Sequence, residues 1–474
     1  MIKQLTLTVL AASVLSGCSL APKFLRPEAP VAADYPTPSA VAANQSRATE
    51  TGWRTFFPDA RLQSLISTAL VNNRDLRVAA LRIEEARAQY NIQSADLLPN
   101  FNGTATGARA RTPGSLTSSG NSTVSSNYQV GLSLASFELD FFGRVRSLND
   151  AALAQYLATE EARQAAHISL VAEVAKAYLA ERAYDEQLTL AQNTLDSRNT
   201  AYGLAKQRFE VGASSALDLR QNEALLQSAR VAQLTLARQR AQALNALTVL
   251  VGQPLTDLPP AQPLSAQNIV ADIPAGLPSD LLTQRPDIRS AEQTLRAANA
   301  NIGAARAAFF PRISLTAGVG TASNSLSGLF ENGSRAWSFA PQLVLPIFQG
   351  GRNTANLTLS EVRKNIAIAN YEKSIQVAFR EVADALVARS LLDEQIDAQG
   401  LVQAAQAERL KLANLRFDNG IASSLDVLDA QRELFSAEQS LVQARLLRLT
   451  NAIDLYRSLG GGLAETSVAT ASAK

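Results

Sequence analysis

The sequence predicts a mainly α chain with a small β part, laid out as an internal tandem repeat. Three observations predict this class. The same short motifs recur in the same order about 210 residues apart. Each half holds two segments of about ten residues in which apolar and small polar residues alternate. Each half then runs into helical sequence too long to fold around one globular core.

The duplication is read from matched residues. Arg208-Phe209-Glu210-Val211-Gly212 recurs as Arg416-Phe417-Asp418-Asn419-Gly420, and at the same offset of 208 Ser215, Leu217 and Asp218 match Ser423, Leu425 and Asp426. Asp75-Leu76-Arg77 matches Asp287-Ile288-Arg289 and Pro99 matches Pro311, both at an offset of 212. One such match arises easily by chance, whereas several in order at nearly one offset do not. A period this long is not a solenoid unit.

The chain starts with Met1-Ile2-Lys3, a short basic stretch, and an apolar run from Leu5 to Leu15. That run is too short to span a bilayer and reads as a secretory signal. It ends in Leu15-Ser16-Gly17-Cys18, which resembles the lipobox of bacterial lipoproteins. The resemblance implies removal of residues 1–17 and attachment of a diacylglycerol and an N-acyl chain to Cys18, the sole cysteine. Ser19, where a retention Asp would sit, implies the outer membrane. Residues 18–60 then read as an extended segment rich in Pro and Ala, a tether from the anchor to the body.

The first repeat, 61–258, opens with a helix over 61–96, stopped by Pro99. Strand-like segments follow at 101–111 and 128–135, separated by a loop rich in Gly, Ser and Asn. From Val145 to Glu210 there is no Pro and only one Gly, so one helix is expected; about 65 residues would extend about 95 Å. After the Gly212 turn, Leu219, Leu226, Ala229, Leu236, Ala243, Leu247 and Leu250 recur at spacings of threes and fours, a coiled-coil seam. Residues 259–279 form a linker. The second repeat, 280–462, replays the plan with a helix over 280–308, strands at 312–321 and 337–345, and a seam through Leu434, Ala437, Leu441 and Ala444. Residues 463–474 are expected to be a flexible tail.

The alternating segments have the pattern of transmembrane barrel strands, and equally that of a soluble hairpin; the outer-membrane anchor favours the barrel. Four strands cannot close a barrel, and open edges are prohibited in lipid. Copies must therefore join. Two, three or four copies satisfy the arithmetic, and small polar inward residues favour three, with an open lumen.

Composition excludes several functions. A single cysteine permits no intrachain disulfide, and a single histidine permits no multi-His metal site. A formal net charge of +2 gives no basic face for nucleic acid. No nucleophile–base pairing is evident, and neither a cofactor nor a metal nor enzymatic activity is expected. His167 reads as a packed or surface imidazole, Glu84-Glu85 and Glu160-Glu161 as solvated faces, Trp337 as an interfacial belt residue, and Gly460-Gly461-Gly462 as a helix end.

Taken with the duplicated plan, the segments Glu138-Leu139-Asp140-Phe141-Phe142-Gly143-Arg144, Leu277-Pro278-Ser279-Asp280, Arg285-Pro286-Asp287-Ile288 and Ala304 to Pro311 resemble the outer-membrane efflux lipoproteins, the OprM-like (NodT-type) branch of the TolC family. The resemblance covers the chain from Cys18 to about Gly462. It implies a homotrimer whose strands form a 12-stranded barrel in the outer membrane, continued by a periplasmic α-helical barrel. It implies a periplasmic adaptor and an inner-membrane proton-driven RND transporter as partners, and export of antibiotics, organic solvents and similar compounds. It also implies that the two turns, with Arg208, Phe209, Gly212, Arg416, Phe417 and Gly420, are adaptor-docking tips. The resemblance also implies a periplasmic gate at Leu425, Asp426 and Asp429, with Asp218 in the first repeat. Asp426 and Asp429 stand at i and i+3, on one helical face, and a ring of such carboxylates would favour hydrated cations. The first repeat has Gln221 where Asp429 falls, so the two tips are unequal. The same residues also fit a plainer role, Asp426 capping a helix and Asp429 solvated. A protein-secretion exit and a non-conducting coiled-coil spacer are the other functional readings.

Overall fold

A computed structural model describes residues 19–36, 47–269 and 273–467; Cys18 and the signal segment lie outside the described residues. The helices used below are α1 (Ala60–Asn72), α2 (Arg74–Ala95), α3 (Arg144–Glu210), α4 (Ala216–Val251), α5 (Pro286–Ala307), α6 (Arg352–Asp418) and α7 (Ser424–Ser458). The strands are β1 (Phe101–Thr112), β2 (Thr123–Leu139), β3 (Arg312–Ser323) and β4 (Arg335–Val344). The chain forms two compact units, and each takes segments from both repeats.

One unit comprises Met1–Glu28, Arg82–Glu160 and Ser290–Tyr371 and contains the sheet. Its four antiparallel strands stand in the order β1-β2-β3-β4, so the hairpins of the two repeats pair with each other through β2 and β3. Directly paired residues share a face. Phe101, Leu134, Ala317 and Phe339 make one row across the sheet; Gly103, Leu132, Val319 and Trp337 make the next. The opposite face carries Asn102, Ser133, Gly318 and Ser338, then Thr104, Gly131, Gly320 and Ala336. One face is therefore apolar and the other small and polar, the division a lipid-facing sheet needs.

A bulge keeps that division intact. Apolar residues occupy even positions from Tyr128 to Leu134 and odd positions at Phe137 and Leu139. The register shifts between Leu134 and Phe137, where Ser136 takes a φ of 46°. The extra residue brings Phe137 opposite Leu315 and Leu139 opposite Ile313, returning both to the apolar face. β2 also starts earlier than its alternation indicates, at Thr123, because pairing with β1 extends to Thr112. Among the described residues, no strand lies beside the outer edges of β1 and β4. Exposed β1 and β4, with Trp337 80% exposed, are surfaces for neighbours rather than for water.

In the same unit, residues 19–28 lie along α5. Asn299 Nδ2 donates to the Pro22 carbonyl at 2.8 Å, Arg26 pairs with Glu292 at 2.8 Å, and the Arg296 guanidinium stacks 4.7 Å over Phe24. Gly303 lets the strap approach: a Cβ there would stand 2.8 Å from the Ala21 nitrogen. Small residues also allow α3 and α5 to touch, through Ala151, Ala154, Ala297 and Ala300.

The other unit comprises Ala29–Leu81, Glu161–Arg289 and Glu372–Lys474. Its core gathers Trp53, Phe56, Phe57, Leu62, Leu65, Tyr178 and Tyr456, with Phe56 stacked 3.9 Å on Tyr456. Asp59 is buried yet fully engaged: it accepts from the Arg61 and Leu62 amides, the Tyr178 hydroxyl and the Gln267 amide. Burial, with Asp59 adding to it, pushes the Tyr178 hydroxyl well above its ordinary range.

Two expectations change here, for the first helix of each repeat and for the start of the tail. The helices expected over 61–96 and 280–308 are each broken, at Asn73 and Arg285, which are repeat equivalents. Asn73 leaves the helical region and its Oδ1 caps the Leu76 amide at 2.8 Å; Pro286 denies its amide to the preceding turn. The linker 259–279 is pinned through Leu264, which is buried, and Gln267. Residues 463–467, expected as part of a flexible tail, are held: the Trp53 and Arg54 amides donate to the Ala464 and Glu465 carbonyls at 2.9 and 3.1 Å. The long helices agree with expectation, α3 and α6 having 67 residues each. Every seam residue of α4 is at least half-buried, with Ala229, Leu236 and Leu247 buried.

Candidate gate and docking tips

Each repeat ends its first long helix in the same turn. Gly212 (φ 72°) and Gly420 (φ 73°) adopt the left-handed conformation that ends a helix without a Cβ penalty. The Ala213 amide donates to the Arg208 carbonyl at 2.7 Å, and the Ile421 amide to the Arg416 carbonyl at 2.9 Å. The recurring Arg-Phe-x-x-Gly pattern is thus a C-cap, and Ser215 and Ser423 start the next helices with capping boxes.

Those boxes define what two of the candidate carboxylates do. Asp218 accepts from the Ser215 amide at 3.2 Å and hydroxyl at 2.8 Å; Asp426 accepts from the Ser423 amide and hydroxyl, both at 3.0 Å. Asp429 has no such partner. It pairs with Arg432 one turn on, at 3.3 Å, with side chains 43% and 63% exposed. A pair so exposed contributes about 0.2–1 kcal/mol and breaks readily. Leu425 is half exposed at the first turn of α7.

The two tips meet. The Arg208 guanidinium stands 5.6 Å over the Phe417 ring, and a cleft of about 260 Å³ between the hairpins is lined by Arg208, Asp218, Asn222, Phe417, Val427 and Gln431. Arg208, Asp218 and Phe417 are therefore brought together, while Phe209 is exposed beside them. Arg432 and Arg198 were not legible as site residues. Spacing i+3 from Asp429 is the signal that finds Arg432. Arg198 contacts the Leu428 carbonyl across 230 positions of sequence, so no local signal could have found it.

The plainer features divide. Glu84 and Glu85 are exposed, as expected. Glu160 and Glu161 are half-buried instead of solvated: Tyr156 hydrogen-bonds Glu160 and Arg289 pairs with Glu161 at 2.6 Å. His167 is half-buried, and burial, reinforced by Arg163, holds its imidazole below the ordinary range. Trp337 lies on the apolar face near the loop end of β4. No group of residues suited to a metal ion occurs among the described residues. No described helix is long and apolar enough to cross a membrane.

A sheet with one apolar face and two open edges, joined in sequence to two helices of 67 residues, fits an outer-membrane channel of the trimeric α/β-barrel class, twelve strands from three four-stranded sheets. The chain belongs to the outer membrane efflux protein family, whose pattern matches it twice, over residues 65–253 and 277–461. It is 49% identical over 467 residues to the toluene efflux pump outer membrane protein TtgC of Pseudomonas putida, covering 98% of this chain and 96% of that protein. It is 49% identical over 456 residues to the outer membrane protein OprJ of Pseudomonas aeruginosa, covering 96% of this chain and 95% of that protein. Among solved structures it resembles the open state of the Neisseria gonorrhoeae MtrE outer membrane channel, with a TM-score of 0.86, 44% identity and coverage of 95% of this chain and all of that one.

Proposed function

We propose that the chain is the passive exit duct of a tripartite efflux pump for antibiotics, organic solvents and other toxic compounds. The observation that carries this reading is the four-stranded sheet with one apolar face and unpaired edges, which a non-conducting spacer has no use for. Relatives named for toluene and antibiotic efflux support the substrate class. A periplasmic adaptor docks at the tips around Arg208, Phe209, Gly212, Arg416, Phe417 and Gly420, and an RND transporter supplies the energy. The gate is built from Leu425, Asp426 and Asp429, with Asp218 at the unequal first tip. Three Asp429 carboxylates around one axis line the aperture and favour hydrated cations. The lipid on Cys18 holds the chain to the membrane, with residues 1–17 removed as signal.

Deleting the gene should make cells sensitive to antibiotics and solvents while leaving protein secretion unchanged. The converse pattern, lost secretion with unchanged tolerance, would assign the duct to secretion. Cells fed a palmitate analogue should label the wild-type chain, and a Cys18→Ser variant should not. Label on that variant would refute the anchor.

A further inference from the structure

Among the described residues, no carboxylate pairs with one buried cation beside the candidate gate. Arg198, on α3, is 5% exposed. Its Nη2 donates a long bond to the Leu428 carbonyl of α7 at 3.4 Å, and its Nη1 is buried without an acceptor. Burial, and then the like charge of Arg432, push its pKa down from the ordinary range. A desolvated charge left unpaired is strongly unfavourable, so its retention calls for a partner in some other state. That partner must come from within the chain, because the chain itself already covers the guanidinium.

Asp429 directly follows Leu428, and its carboxylate now sits on Arg432, where both side chains are partly exposed. The duplication supplies a comparison. At the offset of 208, Gln406 stands for Arg198 and Gln221 stands for Asp429. Gln406 is met there by Arg409, at 3.4 Å. The repeat-equivalent pair, Gln406 and Gln221, carries neither the cation nor the carboxylate.

We propose that Arg198 is a second docking position for the Asp429 carboxylate, so that Asp429 alternates between Arg432 and Arg198 and gives the α7 tip two states. The proposal rests on the gate reading above. In the Arg432-paired state Asp429 is 43% exposed and Arg198 is unpaired. In the Arg198-paired state the carboxylate is withdrawn into the contact between α3 and α7, and Arg432, 63% exposed, keeps Glu433 as its partner at 3.1 Å. Withdrawal clears the aperture, so the Arg198-paired state is the conducting one.

Single-channel recording of the full-length lipidated trimer in planar bilayers tests this. Arg198→Gln should lower time-averaged conductance about fivefold or more, in the range of ordinary conformational couplings, and Arg198→Lys should restore most of it. In an Asp429→Asn background, Arg198→Gln should change nothing further. Unchanged conductance in Arg198→Gln, or an equal drop in both backgrounds, would overturn the proposal, the latter because Arg198 would then act without Asp429. Arg432→Gln, an exposed change that keeps the tip folded, leaves Asp429 only Arg198 and should raise conductance unless Asp429→Asn is also present. Absence of that rise overturns the proposal even if Arg198→Gln fails to assemble. If Asp429→Asn alone alters neither conductance nor selectivity, the gate reading itself falls and takes this proposal with it.

Discussion

Arginine at Leu132 is expected to abolish the heat-modifiable trimer in outer-membrane fractions, whereas arginine at Ser133, one residue away, leaves it intact. Leu132 stands in the row of Gly103, Val319 and Trp337, on the apolar face. Arg or Lys near the bilayer midplane of a barrel costs about 2–4 kcal/mol, and a trimer incurs that cost three times. Ser133 stands beside Asn102, Gly318 and Ser338 on the face with small polar residues. A long cation there enters a lumen wall, where neighbouring glycine and serine leave it room and water. The chemical change is the same at both positions, so only the face differs. Equal loss of both trimers would contradict the assignment of faces, and loss at Ser133 alone would invert it.

Replacing Asp426 and Asp429 together by alanine should raise single-channel conductance and weaken cation preference; unchanged conductance and selectivity would refute the gate. The single variants should separate. Asp426 is held by its capping box, so Asp426→Ala removes a cap and costs about 1 kcal/mol of local stability at the start of α7. Asp429 is held only by an exposed pair to Arg432, so Asp429→Ala should carry most of the change in selectivity. Asp218 makes the same box as Asp426 in the first repeat, which marks that shared position as a helix start first. The lone position is Asp429, with Gln221 as its counterpart.

Most of the fold is legible where physics is local. The Pro-free stretch that became α3, the Gly212 and Gly420 turns, and the strand alternation each follow from a residue and its immediate neighbours. The parity change after Leu134 was also visible, yet only the pairing with β3 shows that a bulge absorbs it. The breaks at Asn73 and Arg285 were weaker signals: Pro286 marks one, while Asn73 is an ordinary helix residue until its side chain caps the next turn. The held residues 463–467 and the pinned linker depend on partners some 200 to 400 positions away, beyond any local pattern. At the site, the carboxylate spacing was readable, but the capping geometry that separates Asp426 from Asp429 was only half readable. Arg198 reaches the gate region through tertiary packing alone.

Conductance of the purified protein in a planar bilayer tests the central claim most directly. The account predicts that a heat-modifiable trimer inserts and gives discrete ion-conducting steps with cation preference. A stably folded trimer that inserts without conducting, or a chain that remains a monomer under the same conditions, would contradict it.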